Sequence, residues 1–184
     1  YYQAARGKPE KRKIISRRRG YHGVTMAAAS MTALAYAQNG FGLPLDFVKH
    51  TTTPDYYNEG RDGESEAEFT TRCAAELEAL IIEEGPETVG ALFAEPVMGA
   101  GGVIIPPAGY FAAIREVLER HDVLLVADEV ICGFGRTGEM WGSQTMDVRP
   151  DMLTCAKALS SAYLPISAVL MSDRVYDTLA GQAE

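Results

Sequence analysis

Apolar residues in this chain follow two rhythms. Val89–Ala94, Val123–Ala127, Met152–Ala156 and Ile166–Met171 are short, nearly continuous apolar runs, which predict strands buried on both faces. Between them apolar positions recur at helical spacing. Phe69, Cys73, Leu77, Leu80 and Ile81 predict a helix that opens on a Ser65-x-x-Glu68 capping box and stops at Gly85-Pro86. Phe111, Ile114, Val117 and Leu118 predict a second helix, from about Tyr110 to Arg120. Nearer the start, Ile14–Ser16 reads as a short strand, 24–37 as one tightly packed helix rich in Ala, Met and Thr, and 39–63 as mainly loop with a short strand near Phe47–His50. Asp173 opens a last short helix.

Strands alternating with helices predict a three-layer α/β/α domain around a mainly parallel sheet. The runs after Asp151 lie too close together for helical crossovers throughout. Met152–Ala156 and Ile166–Met171 are therefore expected to be antiparallel neighbours, which makes the sheet mixed.

Composition narrows the function classes. The 184 residues fit one domain, and at 47% apolar they are enough for a sizeable core rather than a disordered chain. A formal net charge of −8 argues against non-specific nucleic-acid binding, and no apolar run is long enough to span a bilayer. One basic cluster, Lys8, Lys11, Arg12, Lys13, Arg17, Arg18 and Arg19, reads as a solvated surface flanking a strand rather than as a phosphate-binding patch. Cys73, Cys132 and Cys155 are odd in number and lack metal-ligand spacing. They are expected to be buried and reduced, which fits a cytoplasmic protein, and no metal site is expected. The first residue is not Met, and no signal-peptide pattern follows it, so the chain is expected to begin inside a longer one.

Three of the predicted strands end in an ionisable residue: Glu95, Asp128 and Lys157. In an open α/β sheet, ligands bind beyond the carboxyl ends of the strands. Lys157 is the only lysine after Lys49 and sits among small and apolar residues, Thr154-Cys155-Ala156-Lys157-Ala158-Leu159. Such a setting favours the neutral amine that imine chemistry with an aldehyde requires. Asp128 ends the run Val123–Ala127, and a carboxylate there needs a cationic partner: a protonated pyridine nitrogen, an arginine or Mg²⁺. The last loses support because no Gly-x-x-x-x-Gly-Lys-Ser loop is present.

The stretch from Ala127-Asp128-Glu129-Val130-Ile131-Cys132-Gly133 to Gly138, followed by Pro150-Asp151 and Ala156-Lys157, resembles the signature of the class III, omega-type aminotransferases of fold type I. Arg19-Gly20-Tyr21-His22-Gly23 and Glu95-Pro96-Val97-Met98-Gly99-Ala100-Gly101-Gly102 are similar to that family too, in the same order. The resemblance covers essentially the whole chain. It implies pyridoxal 5′-phosphate as cofactor, with Lys157 as the Schiff-base lysine and proton carrier and Asp128 on the pyridinium. It further implies that Tyr21 stacks on the ring with His22 beside it, and that Glu95 lies near the cofactor on its substrate side. Ile131 stands where many members have Gln near the phenolic oxygen, and an apolar residue there leans toward the omega-amino-acid and amine:pyruvate enzymes. Tyr36 and Ala100 fall where that subgroup lines its substrate pocket. Trp141-Gly142-Ser143 is also familial and is expected only to pack.

By the same resemblance the activity is amino transfer from an amine to a keto acid such as pyruvate, in a homodimer. Acetylornithine- or 4-aminobutyrate-type transaminases, a decarboxylase and an aminomutase share the scaffold. The family's phosphate-binding turn is expected before residue 1, and its partner-subunit Thr and substrate-gripping Arg after residue 184. Residues 1–184 then form part of the cofactor-binding large domain, without the small domain. A non-catalytic scaffold is the reading of a different class, and a scaffold has no use for a Lys157–Asp128 pair.

Overall fold

A computed structural model of the chain describes residues 1–181. Six strands form one sheet: β1 (Lys13–Arg17), β2 (Val48–Thr51), β3 (Val89–Ala94), β4 (Leu124–Asp128), β5 (Met152–Cys155) and β6 (Ala168–Met171). Their order is β2-β1-β3-β4-β5-β6. All neighbours are parallel except β5 and β6, which run antiparallel with Met152 opposite Met171 and Cys155 opposite Ala168. The mixed sheet expected from the short final connection is what forms.

The helices are α1 (Tyr2–Ala5), α2 (Met26–Met31), α3 (Ala35–Gln38), α4 (Tyr56–Glu59), α5 (Glu66–Glu84), α6 (Tyr110–Arg120), α7 (Gly142–Thr145) and α8 (Asp173–Ala180). Among them, none is long and apolar enough to cross a membrane. The capping box on α5 closes as expected: Ser65 Oγ accepts from Glu68 N, and the Glu68 carboxylate accepts from Ser65 N. Phe69, Cys73, Leu77 and Ile81 of α5, with Phe111, Ile114 and Leu118 of α6, pack on the sheet face that carries Ile15, Leu92 and Leu125. Tyr2 of α1 and Val175 and Leu179 of α8 cover the opposite face at Ala91, Leu124 and Met152. Three layers result.

Two expectations fail for identifiable reasons. Residues 24–37 do not form one helix. The chain leaves α2 at Thr32, whose Oγ1 accepts from His22 N and donates to Gly23 O, while Ala33 N donates to Gly20 O. These bonds to the loop after β1 replace the helical ones. The basic cluster is also not a solvated surface throughout. Arg17 is 1% exposed, lies beside the Tyr110 and Phe111 rings and donates to the Glu95 carbonyl. Lys11 is buried, and its ammonium donates to the carbonyls of Pro86, Val89 and His121. Carbonyls left over at element ends satisfy that charge.

A pH response follows from β2. His50 Nε2 donates to Ser30 O, and burial pushes the imidazole pKa below its ordinary value. Above about 6.5 both folded and unfolded chains hold it neutral. Below that the unfolded chain gains a proton that the folded chain refuses, so stability falls with falling pH down to the depressed folded value. His50→Gln keeps the donor and removes the titration. Its thermal midpoint should therefore drop less than that of the native protein between pH 7.5 and 5. Parallel midpoints across that range would show that His50 contributes no linkage.

Candidate active site

The sheet register brings the candidate residues to one edge. Ala94 lies opposite Ala127 and Asp128 opposite Thr154, so Glu95, Asp128 and the segment leading to Lys157 leave three adjacent parallel strands at their carboxyl ends. Asp128 is the last residue of β4 rather than the first beyond it. Its carboxylate is buried. Oδ2 lies 2.8 Å from His22 Nδ1, and Oδ1 accepts from Val130 N at 3.1 Å. His22 is brought there by the bend after β1, where Gly20 leaves no room for a side chain: a Cβ would stand 2.9 Å from the Arg17 carbonyl. The imidazole is 3% exposed and sits edge-on to Phe93. Among the described residues, His22 is the only ion-pairing partner of Asp128, so no arginine or lysine competes for that carboxylate.

Glu95 also ties two loops together. Its carboxylate is held by two backbone donors: Oε1 accepts from Tyr21 N at 3.0 Å and Oε2 from Gly99 N at 2.9 Å. A buried carboxylate is satisfied by backbone donors, and it ties the loop carrying Tyr21 and His22 to the loop after β3. Ile131 packs against that second loop so closely that a Cβ on Gly99 would meet its Cδ1 at 2.7 Å. Tyr21 is half-buried at the same edge.

Lys157 opens a single 3₁₀ turn, Lys157–Leu159, with φ +43°, a left-handed conformation for a residue with a side chain. It is exposed, which corrects the expectation of an apolar burial. Among the described residues its amine has no hydrogen-bond or ion-pair partner. Tyr36 is 69% exposed on α3, and Ala100 is exposed in the loop after Gly99. No group of three or more His, Cys, Asp or Glu side chains suited to a metal ion occurs among the described residues. The three thiols are buried and unpaired, and burial pushes Cys132 up to about 11.

Glu129 carried no separate weight in the sequence, yet it is wholly buried beside Asp128. A signal was available. Successive strand residues point to opposite faces, so two acids ending a buried strand must have two different environments.

An α/β sheet whose carboxyl edge presents a buried aspartate, a histidine bound to it and, just past the next strand, an unpartnered lysine has the chemistry to receive a cationic ring with a reactive carbonyl. Residues 1–183 match the class III aminotransferase family, and the chain belongs to it. It is 53% identical over its whole length to a mitochondrial γ-aminobutyrate transaminase 1 of Solanum lycopersicum and 49% identical to a vanillin aminotransferase of Capsicum frutescens. It spans only 36% and 40% of those relatives. An omega transaminase of Pseudomonas jessenii, solved in complex with PMP, superposes on the entire chain with a TM-score of 0.97 at 51% identity; the chain covers 40% of it. The family's cofactor is pyridoxal 5′-phosphate, and the residues present fit it. Among the described residues, Asp128 is a buried carboxylate with no Arg or Lys partner, as a pyridinium requires, and Lys157 Nζ is unengaged in the turn after the neighbouring strand.

Proposed function

We propose that the full protein transfers an amino group from an amine or omega-amino acid to a keto acid such as pyruvate, using pyridoxal 5′-phosphate. The observation that carries this reading is the His22–Asp128 pair at the end of β4 beside the free amine of Lys157 at the end of β5. Bound pyridoxal phosphate supplies an aldehyde that takes up the amine and a ring that withdraws electrons from it. The chain's residues do the rest. Asp128 holds a proton on the ring nitrogen. His22 fixes one oxygen of that carboxylate and Val130 N the other. Glu95 keeps the Tyr21 loop in place, from which Tyr21 would stack on the ring. Lys157 Nζ would hold the cofactor covalently and, once released, would act as the base that takes the proton from the amine-bearing carbon and gives it back on the cofactor side.

Ile131, an apolar residue where many members of the family have Gln, supports an amine or omega-amino acid as donor. The identity with a γ-aminobutyrate transaminase favours 4-aminobutyrate as a second reading. Exposed Tyr163, Leu164 and Ile166 after β5, and Val103 and Ile105 after β3, support burial of this edge by the rest of the protein or by a second copy in a homodimer. The three unpaired thiols support a reducing compartment such as the cytoplasm.

The test uses full-length protein with pyridoxal phosphate. A visible chromophore that borohydride fixes onto the peptide containing Lys157 is expected. So is pyruvate-dependent turnover of an aryl or alkyl amine faster than that of 4-aminobutyrate. No chromophore would reject the activity, and the reverse donor preference would install the second reading.

A further inference from the structure

Glu129 is 0% exposed and, among the described residues, has no basic side chain as an ion-pair partner. A carboxylate so placed is tolerated only if its oxygens find donors. They find two backbone N–H groups: Oε2 accepts from Gly142 at 2.8 Å and Oε1 from Ser143 at 2.7 Å. Its main chain is engaged as well. The Glu129 carbonyl accepts from Gly133 N at 2.9 Å, and its own N–H donates to Thr154 O at 2.9 Å. One residue therefore closes both ends of the loop 133–142 and binds the end of β4 to the end of β5, three positions before Lys157.

The closure is dense. A Cβ on Gly142 would stand 2.6 Å from Cys132 Cβ and 2.9 Å from Pro96 Cβ. Cys132 Sγ in turn accepts from Val97 N and donates to Val97 O. The segment held between these anchors is Val130–Ile131. Val130 N is the donor that fixes the second oxygen of Asp128, and Ile131 is the side chain seated on Gly99.

We infer that Glu129 is a positioning residue for Asp128: its carboxylate clamps Gly142 and Ser143 so that Val130 N holds the Asp128 carboxylate toward the cofactor's ring nitrogen. This rests on the reading of Asp128 given above. A carboxylate suits the place and an amide does not, because both donors point inward. Glutamine offers one accepting oxygen and turns an NH₂ toward the other N–H.

The test is made on full-length holoenzyme with E129Q, with D128N as a positive control and E139Q, on the exposed tip of the same loop, as a negative one. The readouts are the dissociation constant for pyridoxal phosphate and the pH midpoint of the bound cofactor's visible absorbance. E129Q should weaken cofactor binding about five- to tenfold, the scale of one hydrogen bond. It should also move the pH midpoint in the same direction as D128N, while E139Q leaves both readouts unchanged. A lower thermal midpoint for E129Q with both readouts at wild-type values would overturn the inference, since that is what a residue serving only the fold would give. Should E129Q yield no folded holoenzyme, E129D keeps the charge on an arm one methylene shorter and is judged by the same two readouts. A wild type that binds no pyridoxal phosphate would overturn the functional reading itself, and this inference with it. A wild type that responds to D128N but not to the Glu129 variants would overturn only the latter.

Discussion

Replacing Lys157 by alanine in the full-length protein is expected to lower transamination by about 10⁴-fold or more, while pyridoxal phosphate still binds without a covalent link. Two losses combine. On the proposed reading, the covalent tether to Nζ would disappear, and so would the base for the proton of the amine-bearing carbon. The structure makes substitution by a neighbour implausible. Lys157 is the only lysine after Lys49, and among the described residues its exposed amine has no hydrogen-bond or ion-pair partner. Its left-handed backbone, with φ +43°, aims one particular side chain from the end of β5. Added methylamine should restore part of the activity by supplying an amine in solution. The measurement is kcat for the preferred donor together with borohydride reduction. The native protein should retain a reduced chromophore through gel filtration in denaturant, and the variant should lose it. Turnover by Lys157→Ala within tenfold of the native enzyme would remove the lysine from the mechanism.

Most of the scaffold was legible because its signals are local. The bounds of β3 and α6 are those expected, since an apolar run and a helical spacing each stop at a marked residue. The antiparallel β5–β6 pair followed from connection length alone. What was not legible depends on contacts between distant segments. The break at Thr32 is made by bonds to His22, Gly23 and Gly20, and no propensity within 24–37 announces it. Lys11 and Arg17 read as surface charges because three backbone carbonyls in one case, and two aromatic rings with a carbonyl in the other, come from elsewhere in the chain. At the site, the residue types that end the strands were visible, but not their division of labour. Glu95 looked like a cofactor contact from its position, and its carboxylate holds two loops together. Tyr36 and Ala100 were assigned by resemblance alone, and both side chains are exposed on this chain.

Asp128→Asn should leave the sheet intact and lower kcat by about 10²–10³-fold, the scale on which a preorganised electrostatic partner acts. Asparagine is nearly isosteric with aspartate, so packing against His22 and Val130 changes little. Its charge and its donor pattern do change. A carboxylate accepts from Val130 N with Oδ1 and meets His22 Nδ1 with Oδ2. An amide has one accepting oxygen for those two places. If the oxygen serves Val130, the NH₂ faces the imidazole and reverses the role of Nδ1. If it serves His22, the NH₂ opposes the Val130 N–H, and a buried donor loses its acceptor at a cost of about 1–3 kcal/mol. In neither arrangement does a negative charge remain to hold the ring nitrogen protonated, so the electron withdrawal that stabilises the reacting carbon is lost. On the proposed reading, in which Asp128 pairs with the cofactor's ring nitrogen, the loss should fall on kcat rather than on the KM of the donor. Circular dichroism checks the fold, and steady-state kinetics with saturating pyridoxal phosphate give the split. A folded variant with unchanged kcat would mean that the Asp128 carboxylate serves only to hold His22.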